Sequence, residues 1–281
     1  MRVRTIIAAL ASLLLARRAD AICGAPPAVT VTPTLAHAAP VNAHVWVTLP
    51  ASWRATGFCD AFLADAPCPV DTYSLGVRRA PRLGRERPWI AVTERESPRP
   101  RYLPKDALGA RTVELAPASV FEPSTLYEVH LRAKGAGTDE VIGVFETGDF
   151  TDSVAPAWRG APTGAYDHAP PTKSGVIRLS ECGDPTARFE RLDPTDDRTE
   201  RRDLRFEVRV RDLTEPPNLL RVPDAVMNPF DDGRGGLTLW LGNSDDPSDD
   251  GLLPRDQHPV SVSLVIVDWA GNRSDERAFD L

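Results

Sequence analysis

The sequence predicts an all-β chain: two tandem antiparallel β-sandwich domains, joined end to end, behind an N-terminal export signal. Three observations predict it. Short runs alternate apolar and polar residues, the period of a strand with one packed face. The chain carries 27 prolines, which argue against long helices and for turns and edge strands. Almost no stretch holds a helical period for three turns.

The elements follow in chain order. Arg2 and Arg4 precede the uncharged apolar run 6–16, which is too short to span a bilayer as a helix. Ala19-Asp20-Ala21 offers small residues where a signal peptidase reads, so residues 1–21 are expected to be a signal peptide. Cys23 raises lipidation, but Asp20-Ala21-Ile22 fits a lipobox poorly. The expected location is outside the cytoplasm: periplasm, outer surface or secreted.

Loss of residues 1–21 removes four Arg and one Asp and takes the net charge from −7 to −10. An acidic exported chain is a poor partner for nucleic acid or anionic membranes. No later segment reads as transmembrane. The 42% hydrophobic content is enough for packed cores.

Strong period-two patterns cover 43–49, 127–132 and 204–211. In the last, Leu204, Phe206, Val208 and Val210 alternate with Arg205, Glu207, Arg209 and Arg211, which implies a wet, charged face. Outward faces are also expected for His44 and His130. Further strands are expected at 29–32, 89–93, 112–115, 141–147, 176–179, 237–241 and 260–267. Residues 78–101, rich in Arg and Pro, read as a loop excursion around one strand. The segment 147–156 has the small, acidic and proline-bearing composition of a linker. It divides the chain into domains at 24–150 and 151–281, with no close internal sequence repeat.

Cys23, Cys59, Cys68 and Cys182 all follow the expected cleavage site. An even count in an oxidising compartment favours disulfides. Cys59 and Cys68 can close one loop, which leaves Cys23 for Cys182, although three pairings are possible.

Several residues carry a resemblance. Pro40-Val41-Asn42 enters a strand, the segment 117–127 forms a proline-flanked corner ending at Tyr127, and Phe145-Glu146-Thr147-Gly148 closes a strand. Together they resemble the SbsA-type Ig-like domain of bacterial surface-layer and cell-wall proteins over roughly 100–120 residues. Phe121 stands where that family usually has Leu. The second domain is similar to Ig-like or fibronectin-III-like modules through Val267-Asp268-Trp269-Ala270-Gly271-Asn272-Arg273-Ser274. The resemblance implies fold and export and brings no catalytic residues. Tyr127 is expected to bury its ring and hold a backbone group through its hydroxyl. Gly271-Asn272 is expected to supply positive φ for the last hairpin, with Trp269 covering an end of the sandwich.

Acidic loops are the candidate ligand sites. Asp231, Asp232, Asn243, Asp245 and Asp249 flank the 237–241 strand and offer the oxygens that Ca²⁺ takes, although Pro247 breaks an EF-hand pattern. The same residue types form solvated turns for their own reasons. At the linker, Asp149 and Asp152 could join loop carboxylates and stiffen the junction through Ca²⁺. Asp193, Asp196, Asp197 and Glu200, mixed with Arg198, Arg201 and Arg202, read as surface ion pairs. His37 and His44 suggest a copper carrier only faintly. With two Met in the chain, a Met-rich copper site is excluded. No G-x-S-x-G elbow or Gly-rich phosphate loop appears.

The expected function is therefore a non-enzymatic envelope or surface protein that contacts protein or glycan. Trp46 and Trp240, outward on their strands, are the candidate anchors. Packing against the other domain is the competing role for both. The alternative is a periplasmic metal carrier or exported enzyme with an inter-domain site.

Overall fold

The computed structural model describes residues 29–49, 73–81, 87–96, 111–133, 139–160, 163–167, 186–214, 225–227, 229–231, 237–241, 253 and 259–281. These residues form an all-β, sandwich-like fold of antiparallel sheets. Among them, no helix is long and apolar enough to cross a membrane.

The N-terminal half has two four-stranded sheets. One contains β1 (Thr30–Thr32), β2 (Val45–Leu49), β5 (Val92–Glu96) and β6 (Arg111–Pro117), in the order β1-β2-β6-β5. The other contains β3 (Tyr73–Arg79), β4 (Trp89–Ile90), β7 (Leu126–Ala133) and β8 (Asp139–Glu146), in the order β4-β3-β7-β8. Register places apolar residues opposite one another: Val45 with Leu115, Val47 with Val113, Leu75 with Leu131, and Val77 with Val129. All eight are buried in one core. A strand's side-chain period of two makes such pairs share a face.

The C-terminal half repeats the arrangement. Its first sheet holds β10 (Thr163–Asp167), β11 (Thr186–Leu192), β15 (Phe230–Asp231) and β16 (Leu237–Leu241), in the order β10-β11-β16-β15. Its second holds β13 (Arg205–Asp212), β14 (Ala225–Met227), β17 (Val260–Val267) and β18 (Arg277–Asp280), in the order β14-β13-β17-β18. A small ribbon pairs β9 (Ala157–Trp158) with β12 (Pro194–Thr195). Phe189 opposite Leu239, and Phe206 opposite Ile266, belong to a second core.

Several expectations change. The 89–93 run is two strands, not one: Trp89–Ile90 joins one sheet and Val92–Glu96 the other, with the crossover at Ala91. Strand β3 had no counterpart in the sequence reading, because Gly76 and two arginines interrupt its pattern. Gly76 is required there, since a Cβ would sit 2.9 Å from the Trp89 ring. The expected strand at 176–179 lies outside the described residues.

The charged face of β13 is wet only toward its end, where Arg209 is partly buried and Arg211 exposed; at its start it is covered. Arg205 is 1% exposed and Glu207 is also buried; Arg205 reaches the N-terminal half, whereas Glu207 is held by Arg273 of its own half. The Arg205 guanidinium donates to Thr32 Oγ1 of β1. Burial pulls its pKa down to about 10, opposed by the nearby Asp203 carboxylate. The two halves therefore meet along sheet faces and not merely end to end. Trp46, Val226 and Val267 form a third apolar cluster there, and Thr112 Oγ1 donates to the Val226 carbonyl at 3.3 Å.

His130 is also buried, not outward. Trp89 closes over it edge-on at 5.2 Å between ring centres. Its ring nitrogens lie 2.6 Å from Asp139 Oδ1 and 2.9 Å from Glu128 Oε2.

Candidate functional site at the junction of the halves

Three chain segments converge where the halves meet. The first is the exit from β8. Gly148 N donates to Ala39 O at 2.8 Å, and Val41 N donates to Phe150 O at 2.8 Å. Asn42 then clamps the next residue pair-wise: its Nδ2 donates to Asp152 O at 2.6 Å, and Asp152 N donates to its Oδ1 at 2.9 Å. Asp152 is thereby fixed to the N-terminal half.

The second segment follows β12. Asp196 Oδ2 accepts from Arg198 N at 2.9 Å and Thr199 N at 2.6 Å. This is the local turn that Asp favours. The third is the turn after β17. Asp268 Oδ1 accepts from Asn272 N at 2.8 Å and its Oδ2 from Asn272 Nδ2 at 2.9 Å. Gly271 closes the turn at φ 81°, a conformation that glycine adopts without strain.

That third turn is the docking element. Trp269 is 1% exposed and packs in the core of the N-terminal half. Its carbonyl accepts from His44 N at 2.6 Å, and its own N donates to Thr199 Oγ1 at 3.1 Å. Gly271 lies against the His44 ring, where a Cβ would come within 2.7 Å. The His44 ring is held in turn by Glu114, Nδ1 to Oε1 at 2.5 Å. The expectation that Trp269 covers an end of the sandwich needs correcting: the end it closes belongs to the other half.

The same geometry brings Asp152, Asp196 and Asp268 together. One carboxylate oxygen from each lies within 4.8 Å of the others. Asp152 is 2% exposed and Asp268 1%. Asp152 Oδ2 and Asp196 Oδ1 are buried without a hydrogen-bond partner. Among the described residues, no basic side chain forms an ion pair with any of the three. If all were ionised, each pair at this spacing (4.8 Å or less) would repel by at least about 3 kcal/mol at an effective dielectric of about 20.

The carboxyl groups respond as expected. Burial raises the pKa of Asp268 to about 7; hydrogen bonds from Asn272 oppose the rise, while Asp152 and Asp196 add to it. Burial also raises Asp152, against the Val154 N–H, with Asp196 and Asp197 adding to the rise and Arg198 opposing it. A raised carboxyl pKa stabilises the fold below the unfolded value, and that contribution is lost as pH climbs to the folded one. For Asp268 without a counter-ion, stability therefore falls between the ordinary carboxylate range and about pH 7.

The sequence-predicted residues fall as follows. Asp152 joins the cluster, whereas Asp149 is exposed and stays out. Asp196, read as part of a surface ion-pair group, instead turns one oxygen to backbone N–H groups and leaves the other buried. Asp231 lies on β15, opposite Leu237; Asp232, Asn243, Asp245 and Asp249 lie outside the described residues, as do all four cysteines. Trp46 is 3% exposed, covered by the C-terminal half, so it is no surface anchor. Trp240 lies on β16 opposite Arg188, and its side chain is outside the description. His37 and His44 do not meet at one site: His37 pairs with Glu200 at 2.6 Å, and His44 with Glu114.

Sequence reasoning missed Asp196 and Asp268 as cluster members. Asp268 four residues before Asn272, and Asp196 three before Thr199, are turn signals. They show that the side chains are held, but not that they are held together. A shallow groove of about 390 Å³ lies between Trp158 and residues 275–277. Trp158 Nε1 donates across it to Asp275 O at 3.0 Å. Compared with known proteins, the chain matches no protein-family model and no curated protein.

Proposed function

We propose that this protein is an exported, non-enzymatic pair of Ig-like β-sandwiches that serves as a stiff structural or contact element of the cell envelope, toward protein or glycan. The observation that carries the reading is the Trp269 clamp. One half supplies a buried tryptophan to the core of the other, so the pair behaves as one rigid body rather than two beads on a linker. The Ig-like assignment is supported by strand order. Lettered by position, both halves run A-B-E-D in one sheet and C′-C-F-G in the other, the arrangement of that sandwich class. It is further supported by the corner at Tyr127, whose hydroxyl accepts from Glu122 N at 2.8 Å.

The contact surface that fits this reading is the outer face of β3, β4 and β7. Trp89 is partly exposed there, between the guanidinium groups of Arg78 and Arg132 at 5.1 and 4.6 Å from its ring centre. An aromatic framed by arginines suits a glycan face or a partner's polar rim. Fractionation of expressing cells, followed by co-sedimentation of the purified chain with isolated envelopes, tests it. Export and envelope binding that drops at least about fivefold, or roughly 1 kcal/mol, in Trp89→Ala are expected. A cytosolic pool, or binding indifferent to Trp89, would overturn the reading.

A further inference from the structure

We infer that Asp152, Asp196 and Asp268 form a divalent-cation site of the calcium class, which locks the junction between the two halves. The inference stands on the cluster alone and does not depend on where the protein resides or what it contacts.

The donor set consists of hard carboxylate oxygens, the kind that Ca²⁺ takes and softer metals do not prefer. The three side chains come from separate places: the exit from β8, the loop after β12 and the turn after β17. Each is oriented by its own N–H donor: Val154 N for Asp152, Arg198 and Thr199 N for Asp196, and Asn272 for Asp268. Two carboxylate oxygens in the cluster are buried and unpartnered. Buried polar atoms of folded proteins are nearly always paired, so such orphans point to a missing partner. That partner must be positive, because it faces converging carboxylates with no basic side chain paired to them among the described residues. Calcium suits the place better than magnesium, which dehydrates reluctantly and keeps several waters. The rival partner is a proton shared within the cluster, which would leave the protein indifferent to metal.

The site would couple the halves directly, since Asp152 is tied to Asn42 of the N-terminal half while Asp196 and Asp268 belong to loops of the C-terminal half.

The test is a calcium titration of chelator-stripped full chain, read by calorimetry and thermal melting. Expected are a saturable one-site heat signal and a rise in Tm that chelation reverses. Asp152→Asn and Asp268→Asn should each weaken binding at least about tenfold, while Asp280→Asn on β18 should bind like the wild type. Because Asn at 152 keeps the shape, keeps an oxygen for the Val154 N–H and removes a like charge, metal-free Asp152→Asn should melt no lower than the metal-free wild type. Magnesium at equal concentration should shift Tm less. Absence of heat and of any Tm shift up to about 10 mM calcium, above the roughly 10⁻⁴–10⁻³ M range of extracellular calcium modules, would overturn the inference. So would wild-type binding retained by both Asn variants, or an equal response to magnesium. If an Asn variant does not fold, the wild-type titration still decides.

Discussion

The two halves share one strand order but close their cores differently. Among the described residues, the C-terminal core is built from its own half, with Phe189, Phe206, Leu239 and Ile266 in it. The N-terminal core stacks Phe121, Tyr127 and Phe145 at ring separations of 4.7–5.4 Å, and it also takes in Trp269 from the other half. The described halves are therefore unequal: the first takes a residue of its neighbour into its core, and the second takes none. A topology repeated without close sequence repetition leaves each copy free to take a different role at the interface.

Replacing Trp269 with Ala tests that asymmetry most severely. Loss of a buried tryptophan costs about 3–5 kcal/mol, and the deficit should fall on the N-terminal half. Denaturant unfolding should split into two transitions, the earlier one reporting the Tyr127 environment. A single transition with both halves equally weakened would mean that neither depends on the other more.

A subtler comparison sets Gly271 against Gly160. Both have positive φ, 81° and 77°. A Cβ at Gly271 meets the His44 ring, whereas one at Gly160 meets nothing within 4 Å. Gly160→Ala should cost about 1 kcal/mol from conformation alone. Gly271→Ala should cost about 2–3 kcal/mol, the excess coming from forced separation at the junction. Equal losses by thermal melting would show that the junction yields freely.

The smallest effect is expected at the corner. Tyr127→Phe removes the hydroxyl that accepts from Glu122 N and leaves the ring stack, so it should cost about 1 kcal/mol and leave the C-terminal half unchanged by amide exchange. Protection lost in both halves would argue that the corner supports the whole molecule.

Much of the fold was legible because a strand's alternation is local. The runs at 237–241 and 260–267 form strands with those bounds, and the corner at Tyr127 follows from its proline-flanked pattern. Strand β3 escaped, since its Gly76 and arginines look like loop until Trp89 is placed beside them. Alternation also told which face of β13 is core, but not that its charged face would be covered at Arg205 and Glu207. A side-chain pattern records polarity, and polarity is compatible with water, with an ion pair or with a neighbouring sheet.

The candidate site divides in the same way. The sequence alone put Asp152 in a segment of linker composition and Asp268 at the start of a turn, because turn chemistry acts over a few residues, while Asp196 read only as a surface ion-pair residue. Only the tertiary structure decided that these carboxylates, 44 and 72 positions apart along the chain, converge with no basic side chain in an ion pair with them among the described residues. Their encounter depends on how the two halves of the chain pack, with one tryptophan seated in the other half's core, and such long-range packing is not written in any local stretch of sequence.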